Sequence, residues 1–174
     1  MDNSFFAYLQ RLELMAFFSG YSLIYVVTLF IAGNQLLKNN FNSRIVFLLP
    51  FAYALVGTLY LGYQLKNLYP DYSIENIKLT IQQPYLIIWG LLSILFWIPA
   101  FGKKTVLCLI HSLVFFFFLV RDLFLQLSAS SADKNILSND MKIYTESLLL
   151  NLGAFTLIIF LSFLSTHYKK RLRS

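Results

Sequence analysis

Residues 105–126 read TVLCLIHSLVFFFFLVRDLFLQ, an apolar run from Thr105 to Gln126 that closes on the adjacent charges Arg121 and Asp122. As an α-helix this stretch is about 33 Å long, enough to cross a hydrocarbon core of roughly 30 Å. Its centre, Phe115 to Phe118, offers water nothing to bind. The terminal cation and anion are costly in lipid, about 2.5–3.5 kcal/mol each at mid-membrane, so they need partners or water. This stretch decides the fold class, because the rest of the chain reads as a bundle around it.

Composition agrees. The 174 residues are 58% hydrophobic and 13% charged, against about 25% charged in a soluble domain. The mean hydropathy is +0.66. Such a chain cannot cover a globular surface, and it is short enough to form one integral membrane domain over residues 1–174. The net charge of +6 does not indicate nucleic acid. The bases sit in short connections and a tail, with no basic face interleaved with aromatics.

Working outward, the sequence predicts an all-α, polytopic membrane protein with five transmembrane helices and an N-terminal amphipathic segment. The segment is Met1 to Glu13, with Phe5, Leu9 and Leu12 on one side. The spans are expected at 14–33, 45–64, 85–101, 105–126 and 144–166. Pro50 falls in the first turns of the second span, and Pro84 opens the third, where a missing N–H costs least. In the longest loop, Ser73 can cap a short helix whose Ile74, Ile77 and Ile81 suit it to lie flat on the membrane. Residues 34–44 read as a polar turn, and Leu127 to Lys142 as a polar, serine-rich loop.

Five spans put alternate connections on one side. Lys38, Arg44, Lys103, Lys104, Lys169, Lys170, Arg171 and Arg173 then share a face with no acid among them. The positive-inside rule assigns that face to the cytoplasm, giving an outside N-terminus and a cytoplasmic C-terminus in an inner or plasma membrane.

Polar residues within spans are the candidate sites. Tyr21, Tyr25 and Thr28 share a face of the first span; Tyr53, Gly57 and Tyr60 share one of the second. Small and hydroxylated residues of this kind mark helix packing or a tyrosine-lined cavity. Asn151 is an expected interhelical hydrogen-bond donor. Glu13, Arg121, Asp122 and Glu146 fall at the outer boundary, either as a network centred on Arg121 or as an outward-opening polar site. His111 is the single imidazole within a span, suited to a helix–helix hydrogen bond or to a ligand or proton carrier.

No catalytic motif, phosphate loop, metal-ligand cluster or cofactor signature is present, and Cys108 has no second cysteine to pair with. The expected partners are the lipid bilayer and a membrane protein or a second copy. Three functions remain open. These are a non-catalytic accessory or assembly subunit, a small channel or carrier using the Arg/Asp/Glu site, and a membrane-embedded enzyme on a lipid-borne substrate. In layout rather than motif, the chain is similar to small multi-spanning accessory membrane proteins of bacterial phage-defence loci. Its segment Phe5 to Glu13 is the most distinctive.

Overall fold

A computed structural model describes residues 3–33, 40–128 and 134–171, and all the regular structure among them is helical. In order, these are α1 (Asn3–Phe18), α2 (Tyr21–Gly33), α3 (Asn40–Leu68), α4 (Ile74–Thr80) and α5 (Pro84–Leu91). A 3-10 segment (Leu92–Trp97), α6 (Pro99–Gly102), α7 (Thr105–Ser128) and α8 (Lys134–Arg171) follow. Four stretches are long and apolar enough to cross a membrane: Phe5–Ala32, Ile45–Leu68, Thr105–Leu125 and Met141–Tyr168. A fifth exists if α4 and Pro84–Trp97, bent by 98° to one another, count as one broken span.

The first candidate span, Phe5–Ala32, is longer than the 14–33 expected and is broken in its middle. The amphipathic segment, expected either to lie in the interface or to extend the first span outward, does the latter: it is part of α1, which runs on into the apolar stretch, and the interruption falls at Ser19-Gly20. One local and one long-range bond mark it: Ser19 Oγ donates to the Met15 carbonyl at 2.6 Å, and Gly20 N–H donates to Ser147 Oγ of α8 at 2.9 Å. A Cβ on Gly20 would lie 2.6–2.8 Å from the backbone of Ser147 and Leu148. Only glycine lets α8 approach this closely.

The third predicted span, 85–101, is not one regular helix. Pro84 starts α5 at its first position, but after Leu91 the pitch tightens to 3-10. Ser93 Oγ donates to the Gly90 carbonyl at 2.6 Å, a side-chain bond of the kind that competes with the helical ladder. Ser93 also lies against Gly57 of α3, where a Cβ would come within 2.0 Å of its hydroxyl. The run ends at Ile98, extended at φ −74°, ψ 127° as the residue before Pro99 must be.

Two loops are also shorter than expected. Leu127 and Ser128 finish α7 and Lys134 opens α8, so most of the serine-rich stretch is helical; residues 129–133 lie outside the described ones. The expected turn at 34–44 is helical from Asn40, and residues 34–39 lie outside the described residues. More than five turns of apolar pattern beyond Glu146 carry α8 on, and its 38 residues make it about 57 Å long.

The centre of the bundle is aromatic. Phe18, Tyr21, Tyr53, Tyr60 and Phe115 are each at most 1% exposed. Phe18 stacks on Phe115 at 4.9 Å between centroids, and Tyr21 meets Tyr53 at 4.3 Å. Close packing and buried hydrogen bonds of this kind are what hold apolar helices together where lipid gives them no hydrophobic reason to associate.

Candidate functional site

Polar side chains gather where α1 meets the ends of α3, α5 and α7. Gln10 of α1 reaches the corner between α4 and α5, where a 98° bend interrupts the ladder. Its Oε1 accepts the N–H groups of Gln82 at 3.0 Å and Gln83 at 3.1 Å, and its Nε2 donates to the Thr80 carbonyl. One carboxamide thus satisfies three backbone groups that the broken helix leaves open.

One residue on, Arg11 Nη2 lies 2.8 Å from Asp122 Oδ2, with the two side chains 26% and 10% exposed. The ion pair ties α1 to α7. On another side of α1, Glu13 Oε1 accepts the Tyr63 hydroxyl at 2.9 Å, tying α1 to α3. Gln10, Arg11 and Glu13 therefore fasten three different neighbours within one turn of helix.

His111 makes a second polar arrangement inside the bundle. Its Nε2 is 2.7 Å from the Trp89 carbonyl, and its Nδ1 is 2.7 Å from the Tyr53 hydroxyl. A carbonyl only accepts, so the ring proton sits on Nε2, and a neutral ring takes the Tyr53 O–H at Nδ1. Trp89 lies just before the change from α to 3-10 pitch, where carbonyls lose their regular donors. The two rings stack in parallel, 4.9 Å apart and 8° from coplanar. Trp89 and His111 also border an apolar pocket of about 210 Å³.

The sequence-predicted polar residues are dispersed. Asp122 is buried and paired with Arg11, whereas Arg121, the expected centre of a network, is exposed on α7. Consecutive residues on a helix point about 100° apart, so an adjacent Arg and Asp cannot both face the same neighbour. Glu146 is exposed and lies 3.9 Å from Lys142 one turn away on α8. Glu13 is half-buried beside Tyr63. Tyr21, Tyr25, Tyr53, Gly57 and Tyr60 are buried between helices, and Thr28 is half-buried. Asn151 Nδ2 donates to the Phe17 carbonyl of α1 at 2.8 Å and to Ser147 of its own helix at 2.9 Å.

Sequence reasoning passed over Gln10, Arg11 and Tyr63 as site residues, and it read Trp89 as an interfacial anchor rather than as the partner of His111. The available signal was the only base before Lys38, next to a glutamine, in an otherwise apolar helix. Among the described residues no three His, Cys, Asp or Glu side chains come together to hold a metal. No family model matches this chain, and neither does any curated protein or solved structure.

Proposed function

We propose that the chain is a small, non-catalytic, multi-pass membrane protein that acts as an accessory or assembly subunit, packing through its helices on a membrane partner or a second copy. The supporting observation is the ring-filled centre. Phe18, Tyr21, Tyr53, Tyr60 and Phe115 close the middle of the bundle, each at most 1% exposed. Several polar groups around them fasten helices: Asn151 to α1, Ser147 to Gly20, and both nitrogens of His111 to α3 and α5. A scaffold of this kind offers outer faces rather than an interior. Chemical cross-linking in native membranes, followed by native mass spectrometry, tests the reading. A defined oligomer or a stoichiometric membrane partner is expected; monomers alone, with no co-purifying protein, would overturn it.

In this reading the protein sits in the cytoplasmic or plasma membrane with its N-terminus outside and its tail in the cytoplasm. Support comes from the acid-free set of bases at alternate connections. The arrangement requires the bent α4–α5 pair to count as a crossing. Impermeant thiol labelling of a cysteine placed at position 171 in intact cells is expected to fail, and labelling would reverse the assignment.

A second reading, a small carrier, is favoured by one observation: Gln10, Arg11, Glu13, Tyr63 and Asp122 converge at one end of the bundle. Such a carrier would take its solute at that mouth. Reconstituted Asp122→Asn protein that folds but loses a measurable flux would select this reading over the first.

A further inference from the structure

Residues three and four apart on a helix are neighbours, so Tyr60, Tyr63 and Gln64 share one face of α3. That face carries two phenol hydroxyls and a carboxamide. Glu13 and Phe17, one turn apart on α1, meet it. The Tyr63 hydroxyl donates to Glu13 Oε1 at 2.9 Å. Phe17 packs on both tyrosine rings, 5.2 Å from Tyr60 and 5.6 Å from Tyr63 between centroids. The Gln64 carboxamide lies beside both the Glu13 carboxylate and the Tyr60 hydroxyl.

Glu13 is half-buried, and among the described residues no base pairs with it. Arg11 stands about 200° round α1 from it and is committed to Asp122 at 2.8 Å. A charge taken out of water is ordinarily paired, so this carboxylate calls for a cation. Around it, the Tyr60 hydroxyl and Gln64 Nε2 are buried without a hydrogen-bond partner, in residues 0% and 9% exposed. Orphaned buried polar atoms are rare, and two of them beside one unpaired carboxylate mark a place where a further group binds. Gln64 Nε2 has no bond to lose there, so the carboxamide can turn its oxygen inward. The carboxylate, two phenol oxygens and the carboxamide oxygen then form a set of hard donors carrying a single negative charge, which balances a single positive one. A divalent ion draws on more carboxylate than this, and among the described residues no three His, Cys, Asp or Glu side chains cluster.

We propose that Glu13, Tyr60, Tyr63 and Gln64 form a binding site for one alkali-metal cation, held against the Glu13 carboxylate between α1 and α3. The cation neutralises Glu13, and Tyr60 and Gln64 gain in it the partner they lack. It fastens α1 to α3 as the Arg11–Asp122 pair fastens α1 to α7. The site shares Glu13 and Tyr63 with the carrier reading, and as a statement about transport it rests on that reading and names its solute. Binding itself does not require that the ion cross.

The test titrates full-length protein in detergent with Na⁺ and with K⁺, N-methylglucamine holding the ionic strength constant, and follows the thermal unfolding midpoint. A saturable rise with at least one of the two ions is expected, since a ligand bound only by the folded state stabilises it. Glu13→Gln should abolish the dependence. Tyr60→Phe and Tyr63→Phe should each weaken the apparent affinity about fivefold. Glu146→Gln, at an exposed carboxylate of α8, should leave it unchanged. A midpoint indifferent to both ions overturns the proposal, as does an undiminished dependence in Glu13→Gln. The two phenylalanine variants keep their rings, so they carry the test if Glu13→Gln fails to fold, and unchanged affinity in both overturns it. Binding without flux in reconstituted vesicles would keep the site and remove the carrier reading alone.

Discussion

Asp122 forms its ion pair with Arg11, the first base in the chain, while Arg121 at its side faces outward. The pair joins the first apolar helix to α7 and neutralises two charges that each helix alone would carry unpaired. Removing one partner should strand the other. Arg11→Met or Asp122→Leu should each cost about 2–3 kcal/mol, below the 3–5 of a fully buried pair because Arg11 keeps some water. The double variant should recover most of that loss. A double-mutant cycle on denaturant unfolding in detergent checks this, and additive losses would refute the coupling.

Gln10→Leu should unfasten the corner between α4 and α5. Two N–H groups and one carbonyl lose their partner together, for a loss of about 2–4 kcal/mol. Thermal unfolding in detergent measures the loss. A cysteine introduced at position 82 should also become labelled faster in the variant, because the corner opens locally.

Gly20→Ala should be among the most damaging small changes, costing about 1–3 kcal/mol, since its methyl would meet the α8 backbone and not a movable side chain. Gly62→Ala and Gly153→Ala provide the contrast. Nothing lies within 4 Å of a Cβ at either, so both should be neutral or stabilising by up to about 1 kcal/mol. Equal effects at all three positions would contradict the close approach of α1 and α8.

Tyr53→Phe should cost about 1 kcal/mol and leave the fold intact, because it removes a single neutral hydrogen bond to His111. The sharper readout is spectroscopic. The ¹⁵N resonance of His111 Nδ1 should be that of an unprotonated nitrogen in the parent protein and should shift in Tyr53→Phe. A protonated Nδ1 would contradict the assigned tautomer.

How much of this was legible follows from which interactions are local. The apolar lengths of α3 and α7 can be read directly, because a bilayer demands continuous nonpolar helix. Pro84 as a helix start is equally local. The change to 3-10 pitch after Leu91 is not, since it accompanies the packing of Ser93 against Gly57 on another helix. Asp122 was recognisable as a residue in need of a partner, but only folding brings Arg11 to it rather than Arg121. Gln10 carries no motif, and its role exists only because a backbone corner lies beside it.

The run from Pro84 to Trp97 has a consequence for the surrounding lipid. Eight α-helical and six 3-10 residues together reach about 24 Å, several ångströms short of the hydrocarbon thickness. Elsewhere in the bundle α8 is more than twice that length, so the same molecule would present a bilayer with two very different heights. In the five-crossing arrangement proposed above, lipids on the α5 side must compress to meet it, so the protein should favour thinner membranes and dimple thicker ones on one flank.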